Sequence, residues 1–263
     1  MSETNSPTPS FVAAPREADA PMMSTPETLS NIFFEPGRTF EALRERPRFL
    51  VAALVALVMF MLFYLAYIQR VGYDNIVNAE IETRARGSEM SDEQKAAARN
   101  IQSKPFVKAI RYASPLLGIA IMFAAGAGIY LLGAMLMGKG MSYKQALSVW
   151  TYSSLPPLVL VMVANLLILF VRPPTEEAEI ARGLSGLVHA NPGIVVDAAA
   201  HPVLATALGS LDLFAFYGLF LAALGLRKVA RLSTGSAWAV VLGLWLLGVI
   251  ARTVGSSALG TPM

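Results

Sequence analysis

One carboxylate stands inside an apolar run: Asp212, in VLATALGSLDLFAFYGLF over residues 203–220. A charge at hydrocarbon depth is costly, so it must face protein or water and have a partner. Asn165, in the preceding apolar run, falls at a similar depth and is the first candidate partner; Arg252 is a second. Three placements stay open. Asp212 belongs to a structural pair, or to a path for an ion, proton or substrate, or to a water-filled mouth if the run is shifted.

The stretch SYKQALSVWTYSSLPPL, residues 142–158, carries the other polar cluster. Pro156 and Pro157 each lack an N–H, so a continuous helix would leave the carbonyls of Tyr152 and Ser153 without donors. Freed backbone groups in lipid need partners, and the hydroxyls of Ser153 and Ser154 lie nearby. Two outcomes follow. The prolines kink a helix as it enters the bilayer, or they break it and expose carbonyls to a polar pocket. Tyr152, Ser153, Ser154, Asn165 and Asp212 together make the candidate intramembrane polar site, with Pro156 and Pro157 as its helix break. Trp150 and Tyr152 suit the headgroup level, where amphipathic rings collect.

A third group is basic. In NIFFEPGRTFEALRERPRF, residues 31–49, Phe33, Phe34, Phe40 and Leu43 can share an apolar face. Arg38, Arg44, Arg46 and Arg48 would then face lipid phosphates, and Pro36 sits where a helix can begin. The pattern predicts a helix lying on the membrane surface, with an ordinary basic flank that sets topology as the alternative.

Other chemistries have little footing. There is no cysteine, which excludes disulfides, thiolate metal sites and cysteine nucleophiles. His189 and His201 are the only histidines, and their spacing around Asp197 makes no metal site. No phosphate-binding glycine loop or hydrolase motif occurs in the apolar runs. A net charge of +3, spread along the chain, gives no nucleic-acid footprint. Neither a catalytic set nor a cofactor is expected.

The elements that must position these residues are membrane spans. The chain is 55% hydrophobic and only 15% charged, with mean hydropathy +0.53. Five apolar runs stand out, at about 49–68, 115–137, 149–171, 203–226 and 235–251. Leu158–Val171 is too short to cross by itself, so residues before the prolines must contribute. Residues 1–30 hold Pro7, Pro9, Pro15, Pro21 and Pro26 among small polar residues and are expected to form a disordered tail. They lack a signal-peptide pattern, which makes the first span an uncleaved anchor. A membrane domain over 31–251 and a short tail over 252–263 complete the division.

Short basic connections set the orientation. The N-terminal flank, the 138–148 connection and the 227–234 connection belong on one side, taken as cytoplasmic, which leaves the C-terminus outside. The 69–112 loop, which mixes both signs of charge, should hold a helix opened by the capping box Ser91-Asp-Glu-Gln94 and interrupted near Pro105. A second loop helix is expected from Thr175, with Ile180, Leu184 and Leu187 on one face. Both are expected to be amphipathic caps on the outer surface. Ser142-Tyr-Lys-Gln145 is another capping box. In the second span Ala120, Ala124 and Gly128 recur at four-residue spacing, with Gly126 and Gly133 nearby, suiting close packing inside the bundle or against a second copy.

Two of these stretches resemble a family. NIFFEPGRTFEAL is similar to the phenylalanine–x–proline–x–x–x–phenylalanine start of bacterial members of the Yip family, the Ypt/Rab-interacting membrane proteins. SYKQALSVWTYSSLPPLVL is similar to that family's tyrosine, alanine–leucine, tyrosine–serine and proline pattern at its third span. The matching positions are Phe34, Pro36, Phe40, Tyr143, Ala146, Leu147, Tyr152, Ser153 and Pro156, and the likeness covers about 31–251. It implies a five-span inner-membrane protein without catalytic residues. Eukaryotic relatives are linked to Rab-type GTPases, vesicle traffic and membrane shaping, but that partner is not expected for a bacterial member.

The expected protein is therefore an all-α, five-helix transmembrane bundle with interfacial amphipathic helices in a bacterial inner membrane. It is read as a non-enzymatic membrane-organising or scaffold protein. Its partners would be lipids, other membrane proteins or a second copy, and not nucleic acid. The alternative is a small permease, channel or lipid-translocating protein using a polar path around Asp212 and the proline break.

Overall fold

The computed structural model describes residues 23–88, 90–173, 187–188, 190–198 and 200–259. Within them the chain forms ten α-helices and one 3-10 turn. Helices α1 (Thr25–Phe34) and α2 (Pro36–Glu45) come first. A capping box opens α1: Glu27 N donates to Ser24 Oγ, and Ser24 N donates to the Glu27 carboxylate at 3.0 Å. Residues 25–30, assigned to a disordered tail by their composition, are thus helical. The cap and the buried Ile32 outweigh the polar composition. Residues 1–22 lie outside the described residues. Pro36 ends one helix and starts the next, because it has no N–H to give and pushes Glu35 out of helical geometry, to φ −131°.

Four helices are long and apolar enough to cross a membrane: α3 (Leu50–Val71), α6 (Pro105–Leu136), α7 (Tyr143–Val171) and α10 (Thr234–Leu259). The fifth expected span is two pieces. Helices α8 (Pro202–Gly209) and α9 (Leu213–Val229) meet at a 46° bend, and only as a pair do they reach the length and hydropathy of a crossing. The sequence predicts one helix here because averaged hydropathy hides a single Asp. Locally, however, Asp212 adopts an extended backbone and caps α9 with its side chain.

Between α3 and α6 stand α4 (Tyr73–Ser88) and α5 (Asp92–Ser103). The expected capping box is present, with Ser91 N donating to Gln94 Oε1 at 2.9 Å and Gln94 N to Ser91 Oγ at 3.2 Å. No residue of α5 is buried, and its Ile101 is exposed. Ion pairs tie the helix to α4: Glu82 takes Lys95 at 3.4 Å and Arg99 at 3.0 Å. Helix α4 has no counterpart in the sequence reading, although Ile76, Val77 and Ile81 on it are buried and Ile76 joins the cluster of Tyr67 and Val71. At its start, burial raises the Tyr73 hydroxyl above the ordinary phenol range, and that hydroxyl donates to Gln102 O at 2.9 Å. The helix expected from Thr175 falls on residues outside the described ones.

Helix α7 is the centre of the bundle, with α3, α6 and α9 all packed on it. It runs unbroken through Pro156 and Pro157, both buried. The expected break is therefore not there. Neighbouring helices cover the site, so the two lost hydrogen bonds do not open the chain. Gly126 and Gly133 of α6 provide the close approaches in this core, not the expected stripe. Ala120 and Ala124 are exposed, and no atom comes within 4 Å of a Cβ placed at Gly128. A Cβ at Gly126 would fall 2.2 Å from Trp150 Cε2, and one at Gly133 would fall 2.5 Å from Val240 Cγ1. The spacing of small residues marks a helix that can pack closely, and the neighbour's large side chain decides which of them does.

Candidate functional site

The first site is where α2 meets the ends of α7 and α9. Phe40 is fully buried, and its ring lies against Gly225 and Val149. Leu43 and Ile32 are buried beside it, in the same core as Tyr152, Leu155 and Leu226. Each such side chain contributes about 1.5–3 kcal/mol on burial. Polar contacts fix the helix at its rim. Lys228 Nζ donates to Glu41 Oε1 at 2.5 Å, and Gln145 Nε2 donates to the carbonyl of Arg44 at 2.8 Å. Gln145 has two tasks here, because its carbonyl oxygen also closes the capping box with Ser142 N at 2.8 Å.

This geometry changes the expected lipid face of the N-terminal helix. Phe40 and Leu43 face protein, and of the four phenylalanine and leucine residues assigned to that face only Phe34 is exposed, at 82%. The arginines divide. Arg44 bonds Glu45 and reaches the carbonyl of Lys228 at 3.5 Å. Arg48 donates to the carbonyl of Met23 at 3.2 Å and to Thr25 Oγ1 at 3.4 Å, holding α1 in place. Arg38 pairs with Glu35 within the helix pair, and Arg46 is exposed. Two of the four thus serve the fold.

The intramembrane polar residues are likewise taken up locally. Ser153 and Ser154 both donate to the carbonyl of Trp150, at 3.0 and 2.8 Å, and not to the carbonyls freed by the prolines. Trp150 and Tyr152 pack against protein. Tyr152 is fully buried, and Trp150 packs on Tyr130 with ring centroids 4.8 Å apart. Asn165 is fully buried, and its Oδ1 accepts from Leu187 N at 2.7 Å and Val188 N at 2.9 Å. It pins the returning loop and does not bond Asp212.

Asp212 sits at the start of α9. Its Oδ1 accepts from Phe214 N at 2.9 Å and Ala215 N at 3.2 Å, and Asn191 Nδ2 donates to Oδ2 at 3.4 Å. The seventeen residues of α9 reach about 25 Å, close to a hydrocarbon thickness of about 30 Å. Asp212 therefore lies at the break between α8 and α9, at the end of α9 opposite Lys228. Asn191 was missed in the sequence. Its signal was Asn191-Pro192-Gly193, an Asx turn, and Asn191 Oδ1 accepts from Gly193 N at 3.1 Å. Among the described residues no cluster of His, Asp and Glu could hold a metal ion. His201 is exposed, while His189 and Glu177 fall outside the described residues.

The family model of the Yip1 domain matches residues 30–254, most of the chain. The chain belongs to the Yip1-domain family. No curated protein and no solved structure matches it significantly. Within the Yip1 domain the two stretches that carried the resemblance are in contact. Phe40 comes from one, Val149 and Tyr152 come from the other, and all share one buried core. The match begins inside α1, so the Ser24 cap and the first turn of α1 precede the Yip1 domain.

Proposed function

We propose that this Yip1-domain protein is a non-enzymatic membrane organiser that acts as a fixed platform on the cytoplasmic face of a bacterial inner membrane. The observation that carries this reading is the docking of α2. Its apolar face is committed to α7 and α9 through Phe40, while Arg38 and Arg46 stay outward. A helix held this way offers its charge to anionic headgroups or to a protein partner without first having to order, which lowers the cost of each contact. The segments holding Lys139, Lys144 and Arg227 adjoin the same end, so the positive-inside rule favours a cytoplasmic N-terminus and an external C-terminus.

The test is reconstitution of the full chain in vesicles of phosphatidylcholine with and without phosphatidylglycerol. The platform reading expects vesicle size and shape to change with protein density when the anionic lipid is present. It also expects Arg38→Gln with Arg46→Gln to reduce that change, with no protein-dependent release of trapped solute or flipping of labelled lipid. Solute release or lipid flipping that needs Asp212 would overturn it in favour of transport.

A further inference from the structure

We propose that the shallow, half-open crevice between α9 and α10, about 50 Å³, seats the upper part of one acyl chain of an anionic glycerophospholipid, with the phosphate on Arg227. The crevice is lined from α9 by Phe220, Leu224 and Arg227, and from α10 by Thr234, Ala237 and Trp238. Phe220, Leu224 and Arg227 recur every three or four residues along α9, and they face Thr234, Ala237 and Trp238 in the first turns of α10, so two antiparallel helices form the walls. Arg227 stands at the end where α9 turns into α10. Phe220 lies seven residues along, about 10 Å deeper. One turn deeper still, Phe216 meets Trp245 with ring centroids 5.7 Å apart, which closes the floor. The slot is apolar below and cationic at its mouth, as a lipid requires.

The charge at the mouth is uncommitted. Lys228, the next residue, is tied to Glu41, whereas Arg227 is exposed and has no ion-pair or hydrogen-bond partner among the described residues. An arginine stem lies well along an apolar wall while its guanidinium reaches the phosphate level, where it can grip two oxygens at once. Trp238 is half-buried one turn below Thr234, a depth that suits an indole beside the glycerol backbone. The positive end of α10 opens at the same mouth and adds to the attraction. A zwitterionic lipid fills the slot equally well but brings its own cation to Arg227, so the geometry selects for a net negative headgroup. The site stands or falls independently of the platform reading, because it is read out as bound lipid and not as vesicle shape.

The test is native mass spectrometry of the full chain, supplied with phosphatidylglycerol or phosphatidylcholine of identical acyl chains. One phosphatidylglycerol should be retained in preference. Arg227→Gln should lower that retention about tenfold, the loss expected for one charge-assisted contact. Ala237→Phe, which fills the slot, should lower retention of both lipids, and Lys104→Gln, at an exposed cation away from the crevice, should change neither. Free glycerol phosphate should not displace the lipid. The proposal is overturned if Arg227→Gln retains phosphatidylglycerol as the parent does, if Lys104→Gln lowers retention as much as Arg227→Gln, or if glycerol phosphate displaces the lipid. Melting curves run alongside identify any variant that does not fold. Arg227→Gln changes only an exposed side chain, and it decides the matter if Ala237→Phe fails.

Discussion

The ring of Phe40 rests on the backbone of Gly225: a Cβ at that glycine would lie 2.9 Å from Phe40 Cε1 and 2.8 Å from Val149 Cγ1. The docking of the N-terminal helices depends on this missing methyl group. Gly225→Ala should therefore destabilise the protein by about 1–3 kcal/mol, as overpacking does. Gly128→Ala is the matched control: nothing lies within 4 Å of its Cβ, so helix propensity alone should stabilise it by up to about 1 kcal/mol. Unfolding in mixed micelles measures both. Equal effects at the two positions would rule out the socket.

Asp212 works as a helix cap, so its oxygen matters more than its charge. Asp212→Ala should cost about 0.5–2 kcal/mol, whereas Asp212→Asn, which keeps an acceptor, should stay within about 0.5 kcal/mol of the parent. If Asp212→Asn is as damaging as Asp212→Ala in the same micelle assay, the carboxylate charge has a task beyond the cap.

Asn165 is the acceptor for two backbone donors of the loop. Asn165→Ala should cost about 1–3 kcal/mol for each donor left without an acceptor. Amide hydrogen exchange gives a local readout: Leu187 and Val188 should exchange faster while α7 keeps its protection. Unchanged exchange at both amides would mean that another group takes over.

Arg231 holds a positive φ of 55° just after the last turn of α9, where glycine is the usual residue. Arg231→Gly should raise stability by up to about 1 kcal/mol by removing that strain. A melting temperature at or below the parent value would show that the arginine side chain earns its place through another contact.

How much of this was legible in the sequence depended on how local each signal was. The capping boxes at Ser91 and Ser142 were readable because cap and partner lie three residues apart. The spans were readable because hydropathy needs no partner. The docked face of α2 was not. Phe40 and Leu43 read equally well against lipid or protein, and the deciding residue, Gly225, lies far along the chain and carries no side chain to announce itself. Asp212 and Asn165 were found as unusual residues and then joined to each other, because depth was estimated on a single straight helix. The bend between α8 and α9 instead puts Asp212 at a helix start. Asn191, its actual side-chain partner, came from a loop with no hydropathy signal.

Glu41 and Lys228 are 187 residues apart in the chain, which gives the molecule an order of assembly. Helix α2 leaves the ribosome before any span, yet its seat is finished only when α9 has been made. At typical elongation rates that interval is on the order of ten to forty seconds. Until then Phe40 and Leu43 have at most the α7 half of their seat, and the bilayer surface or a chaperone must cover the rest. The amphipathic pattern that suggests a lipid-bound helix thus suits the waiting state, with the docked form as its end point. A nascent chain stalled before residue 203 should leave the 36–45 segment open to protease, and one extended past 230 should protect it.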